Sequence, residues 1–115
     1  MDQPLIPCWV VADEQSQDSP RVTIMRSDGK SIIQLFLNKP EAERFITEAG
    51  LTGKIPFTIP TIQFLLGFIE QLQKSGVEQV YVFYREKDEF KRAALSIGDF
   101  DSGIRKQLNK NQIIR

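Results

Sequence analysis

The sequence predicts an α+β fold in a single domain, residues 1–115, with a mainly antiparallel sheet of about five strands and helices packed on one face. Three observations carry this expectation. The pair Asp28-Gly29 sits between two runs of β-forming residues, a strong hairpin signal, because a type I′ turn needs positive φ at both central positions. Two later stretches repeat apolar residues at helical spacing and are bounded by start and stop residues. A chain of 115 residues suits one domain, and folding it buries roughly two-thirds of the unfolded surface, enough for one core.

The elements follow in order. Residues 5–12 (LIPCWVVA) are rich in β-formers and read as the first strand; Pro7 either places it at a sheet edge or starts it near Cys8. Residues 13–20 (DEQSQDSP) are polar and turn-rich, hence a surface loop. Residues 21–26 alternate, with Val22 and Ile24 on one side, and lead into the Asp28-Gly29 turn. The returning run, residues 31–37, is apolar on both faces except Gln34, as suits a more central strand covered on two sides.

Asn38, Pro40 and Glu41 mark a helix start. Asn38 is expected to accept from a first-turn amide while Glu41 reaches back, and Pro40 is tolerated in the first turn. Ala42, Phe45, Ile46 and Ala49 form its apolar stripe, and Gly50 supplies the left-handed residue that ends it. Residues 51–59 hold Gly53 and Pro56 and read as a connection with a short extended piece. Pro60 opens a second helix through Lys74, with Ile62, Leu65, Leu66, Ile69 and Leu72 on its core side and Ser75-Gly76 at its end. Residues 78–85 (EQVYVFYR) form a strand by β-branched and aromatic content, and residues 86–89 a charged turn. Residues 90–97 read as the antiparallel return strand or as helix, because Ala93-Ala94 weakens the strand pattern. Asp99 caps a last helix with Phe100, Ile104 and Leu108 on one face, and residues 109–115 fray. The expected order is β-β-β-α-α-β-β-α.

Composition narrows the chemistry. Zero His removes Ser-His-Asp and Cys-His catalysis and His-ligated zinc or haem. One Cys excludes an intrachain disulfide and a thiolate-rich metal site. Fifteen basic residues balance fifteen acidic ones, without the surplus of a strongly nucleic-acid-binding or anionic-membrane protein. The acidic start Met1-Asp2-Gln3-Pro4 is unlike a signal peptide, and the apolar cluster at residues 59–69 is too short to span a bilayer, so a cytoplasmic location is expected.

Several motifs remain. Asp99 and Asp101 form an Asp-x-Asp that presents two carboxylates to Mg²⁺ in some phosphotransferases; the commoner role is a helix cap with an acidic first turn. Gly98 and Gly103 have the outer spacing of a phosphate loop, but Ile104-Arg105 replaces Lys-Ser/Thr and two carboxylates lie inside, which excludes it. Tyr81 and Phe83 share one strand face, and Lys91 lies on the expected partner strand, an arrangement that stacks single-stranded bases when a second aromatic strand is present. Between residues 102 and 115 the charged residues are all basic, which suits a helix C-terminus or an anionic partner. Phe64, Gly67 and Phe68 widen the apolar arc of the second helix, as internal burial or a partner contact would require. Trp9 and Cys8 read as core, and Cys8 becomes reactive only if the fold brings a cation to it.

Asp28-Gly29-Lys30, the strand ending Gln34-Leu35-Phe36-Leu37, and Pro40-Glu41-Ala42-Glu43-Arg44-Phe45 together resemble the N-terminal domain of the SseB (enhanced serine sensitivity) family over residues 5–85. Leu37-Asn38 stands where that family has Thr-Ser after the Phe. The resemblance implies an α+β fold, no established catalysis and no site residues to carry over. The combined expectation is a non-enzymatic protein–protein interaction domain, adaptor or regulatory, without cofactor. It binds another protein or itself as a homodimer through Phe64, Gly67, Phe68 and Trp9, with a strand edge near Trp9. The alternatives are a small-ligand or metal-binding domain or enzyme using Asp99 and Asp101 with Tyr84 or Arg85, and single-stranded nucleic-acid binding through Tyr81, Phe83 and Lys91.

Overall fold

The computed structural model describes residues 5–15 and 21–113, with side chains to residue 106. Six strands and three helices alternate as β1 (Cys8–Asp13), β2 (Met25–Ser27), β3 (Lys30–Phe36), α1 (Lys39–Glu48), β4 (Lys54–Ile59), α2 (Ile62–Lys74), β5 (Gln79–Glu86), β6 (Glu89–Ser96) and α3 (Ile97–Ile113). The sheet runs β4-β1-β3-β5-β6, with β2 paired to β3 beside the end of β1. Every pairing is antiparallel except β3 with β5, which is parallel from Ile32↔Gln79 to Phe36↔Phe83. The sheet is therefore mixed, a correction to the mainly antiparallel expectation.

The local signals explain most elements. Asp28 and Gly29 both take positive φ (54° and 77°), and Ser27 pairs with Lys30 across them, the I′ geometry that the Asp-Gly pair favours. Gly50 (φ 66°) ends α1, with the Leu51 amide donating back to the Ile46 carbonyl. Thr61, the residue after Pro60, caps α2 by accepting from the Phe64 amide at 3.1 Å. The capping box expected at α1 does not form. Asn38 makes no side-chain cap bond, and the Glu41 carboxylate turns away to Arg85 and Arg44. Residues 90–96 are strand: Lys87 and Asp88 (φ 52° and 66°) make a second two-residue turn, and Glu86 pairs with Glu89 across it. The last helix starts at Ile97, where Ser96 Oγ accepts from the Asp99 amide, so Ser96 rather than Asp99 plays the cap. It continues through Ile113, beyond the predicted fraying point. The side chain of Leu108, residues 114–115 and residues 16–20 of the expected loop lie outside the described residues.

Two further corrections concern the sheet. Residues 54–59 form a full strand on the outer side of β1, six pairs long, rather than a connection. Pro56 is compatible with this because β4 is an edge strand, where a missing donor costs no ladder bond on the open side. As a result β1 is flanked by β4 and β3, so no free edge exists near Trp9. Pro7 precedes the strand, which begins at Cys8.

Helices cover both faces, not one. On one face Leu65, Phe68, Ile69 and Leu72 of α2 and Ile97, Phe100 and Ile104 of α3 pack on Cys8, Val10, Ile33, Leu35, Ile59, Val80 and Val82. On the other, Ala42, Phe45 and Ile46 of α1 meet Val11, Phe36, Trp9 and Phe83. Residues Ile32 to Leu37 are buried throughout, as the two-sided apolar run anticipates. No helix among the described residues is long and apolar enough to cross a membrane.

Two substitutions in α2 check this layering. Leu65 is fully buried, and Leu65→Ala is expected to cost about 2–5 kcal/mol in urea denaturation. Gly67 faces solvent, and a Cβ there would meet nothing within 4 Å, so Gly67→Ala is expected to raise stability by about 0.5–1 kcal/mol.

Candidate functional site

The α1 face of the sheet is only partly covered. α1 lies over β4, β1 and β3, while β5 and β6 extend past it. Because side chains alternate along a strand, Tyr81, Phe83 and Arg85 of β5 and Phe90, Arg92 and Ala94 of β6 point to this face. Three aromatic rings cross the strands in one stack. Phe36 and Phe83 lie 4.7 Å apart, Phe83 and Phe90 5.7 Å apart, both pairs with planes within 11°. Phe45 of α1 leans on the first two rings at 5.5 and 6.4 Å.

Between α1 and this stack runs an open groove of about 190 Å³. Its floor is Phe36, Phe45, Phe83 and Phe90; its rim is Glu41, Arg44 and Glu48. The rim charges are matched internally. Glu41, 7% exposed, is bonded by the Arg85 guanidinium and has Arg44 at 3.7 Å, and Arg44 also lies 3.6 Å from Glu48. A buried carboxylate is tolerated only when paired, so Arg85 clips α1 to β5 at the head of the groove. The outer end is different. Phe90 is 47% exposed, the most exposed large apolar side chain among the described residues. Two residues on, Arg92 stacks over the Tyr81 ring at 4.6 Å.

The sequence candidates fall elsewhere. Phe68 is buried in the α2 face of the core, Phe64 packs on Phe57 at 6.3 Å, and Gly67 is exposed, so the three do not make one exposed flank. Trp9 lies part-buried on β1 against the α1 cluster, and its indole Nε1 is buried without a hydrogen-bond partner. Tyr81 and Phe83 do share a face, but Lys91 points to the opposite one, where it bonds Glu86 at 3.0 Å. That bond holds the Glu86 carboxyl below its usual range and the Lys91 ammonium above its own. Phe36 of β3 and Phe90 of β6, on the strands either side of β5, extend the aromatic face.

Asp99 and Asp101 are not brought to Arg85. They lie on α3, on the sheet face opposite to the one Arg85 shares with Glu41. Asp101 instead bonds Arg105 at 2.9 Å, which holds the guanidinium above its usual range, and Arg105 reaches Glu70 of α2 at 3.2 Å. Among the described residues no group of three or more carboxylates or thiols is gathered that could hold a metal ion. No protein-family model matches the chain, and no curated protein matches it.

Cys8 sits in the α2–α3 face of the core, fully buried among apolar side chains, and burial pushes its thiol from 9.0 up to about 12. The folded thiol stays neutral over a range in which the unfolded one ionises. The stability this carries is whole below pH 9 and is lost as pH rises toward 12. Between pH 9 and 10 the loss is about 1 kcal/mol. Denaturation curves for wild type and Cys8→Ala are therefore expected to converge from pH 8 to pH 10. A parallel offset would show that Cys8 does not titrate with unfolding. A maleimide should leave the native thiol unmodified at neutral pH.

The clip carries its own test. Arg85→Ala leaves the Glu41 carboxylate with a weaker partner set and is expected to destabilise by about 1–2 kcal/mol; the figure is modest because Arg85 is half exposed. In the Glu41→Gln background the same change should cost less, which a double-mutant cycle in urea reads directly.

Proposed function

We propose that the protein is a non-enzymatic interaction domain whose docking surface is the α1–β6 groove together with the open edge of β6. The observation that carries this reading is the position of Phe90: half-exposed, at the end of an internal ring stack, on the last strand of the sheet. An exposed aromatic backed by a rigid stack offers contact area at little entropic cost. A free strand edge adds backbone donors and acceptors that accept an extended segment as a further strand. The self-matched rim of Glu41, Arg44, Glu48 and Arg85 favours an uncharged apolar or aromatic side chain in the groove. The resemblance to SseB-family domains implies an α+β fold without established catalysis and carries no site residue to this surface.

Base stacking on Tyr81 and Phe83 is the weaker alternative. The groove's Arg44 and the neighbouring Arg85 are already paired with Glu41 and Glu48 rather than offered to phosphate, and the chain has no net positive charge.

Panning a library of extended peptides against the folded domain tests the proposal. Enriched peptides should carry an apolar or aromatic residue and shift the backbone resonances of β6 and the groove. Phe90→Ala should weaken them about tenfold or more while leaving the fold intact. Peptides that shift only α2 or α3 resonances, or that bind Phe90→Ala equally, overturn it.

A further inference from the structure

We infer that the segment docking on the β6 edge is β6 of a second copy of this chain, paired antiparallel about a two-fold axis at Phe90. The inference rests on the groove and edge being a docking surface and names the occupant.

The backbone geometry comes first. The two-residue turn at Lys87-Asp88 makes Glu86–Glu89 the hydrogen-bonded pair that closes the hairpin. Antiparallel ladders alternate bonded and non-bonded pairs, so Tyr84–Lys91 and Val82–Ala93 are bonded as well. The N–H and C=O groups of Phe90, Arg92 and Ala94 therefore point away from β5, toward the free side of the sheet. Among the described residues no strand pairs there. The opposite edge, β4, is blunted by Pro56; β6 has no proline.

Charge then selects the partner. At the start of β6, Glu89 and Lys91 flank Phe90 with opposite charges, while Asp88 belongs to the turn before the strand. Two copies paired antiparallel with Phe90 opposite Phe90 put each Glu89 across from a Lys91. The alternation of faces is kept, because residues equidistant from the axis share a face. Moving the axis to Lys91 or Arg92 sets like charges face to face and leaves Phe90 opposite Arg92 or Ala94. Charged side chains on an edge strand ordinarily discourage pairing. Here they discourage foreign strands and complement a second copy. Across the axis the Phe90 rings meet, and the Phe36–Phe83–Phe90 stack continues into its partner.

Sedimentation of the full chain from micromolar to millimolar concentration tests this. Wild type is expected to be a reversible dimer. Glu89→Lys sets Lys against Lys91, and Lys91→Glu sets Glu against Glu89; each alone should weaken self-association about tenfold or more. An equimolar mixture of the two variants restores both opposite-charge pairs and should recover a dimer at wild-type affinity. Both substitutions are at the surface, and circular dichroism verifies the folds. Amide exchange should slow at Phe90 as concentration rises. A wild-type monomer throughout, a dimer indifferent to either substitution, or a mixture no tighter than its components overturns the inference. If wild type is monomeric while library peptides still shift β6, the docking surface stands and the second copy is rejected. If no peptide shifts β6 either, both fail.

Discussion

A strand that is apolar on both sides must be covered on both sides, and β3 imposes this condition on the rest of the molecule. Ile32, Ile33, Leu35 and Phe36 are each at most 2% exposed, and they alternate between the two faces. Burying one set without the other would leave several large side chains in water, each costing about 1.5–3 kcal/mol. The chain meets the condition by sending α1 to one face and α2 with α3 to the other. The parallel β3–β5 pairing follows from the same placement. The chain leaves β3, crosses one face in α1, adds β4 at the far edge, and returns across the other face in α2 to lie beside β3.

The two faces receive unequal cover. α2 and α3 together span one side, whereas α1 alone, over β4, β1 and β3, leaves the other half open. Rings fill what the helix does not reach. Phe36 is fully buried beneath α1, Phe83 is part-covered, and Phe90 is half in solvent, so the stack passes from core to surface in three steps. Glu41 fixes where the cover ends. Its carboxylate, buried at the start of α1, is held by Arg85 from the strand beyond the helix, which locks the margin of α1 against β5. The groove is thus a consequence of covering a five-strand path with one short helix on that side.

Local signals were legible and long-range ones were not. Asp28-Gly29, Gly50 and Pro60 each act within a few residues, and each element they bound is found, although α2 starts at Ile62 with Thr61, not Pro60, as its cap. Pro56 and Gly53 read as loop because a sequence window shows the missing donor but not the edge position that makes it harmless. An apolar stripe says that a helix is buried, not on which face of a sheet, so the one-sided arrangement was a natural and incorrect inference. The capping box at α1 failed for the same reason: Asn38 and Glu41 have the right spacing, but Arg85, 44 positions away, competes for the carboxylate. The wide apolar arc of Phe64 and Phe68 fits internal burial as well as a partner contact, and only Phe57 on β4 and the sheet, distant in sequence, supply the neighbours that favour burial. Phe90 carried no sequence signal beyond its place in an ambiguous segment, since its meaning depends on Phe36 and Phe83 from two other strands.

The cations of β6 explain how its edge stays open. Long basic side chains normally shield a terminal strand by standing over its backbone. In this sheet they are drawn back: Arg92 lies over the Tyr81 ring of the neighbouring strand, and Lys91 is held by Glu86 across the hairpin. Both interactions pull charge inward, away from the outward-facing groups of Phe90, Arg92 and Ala94. Each is weak at an exposed site, so an approaching strand that offers a carboxylate competes for the same cation at little cost. The edge is thereby accessible to a segment with matching charges and unrewarding to one without them, which gives a flat strand selectivity that its backbone alone cannot supply.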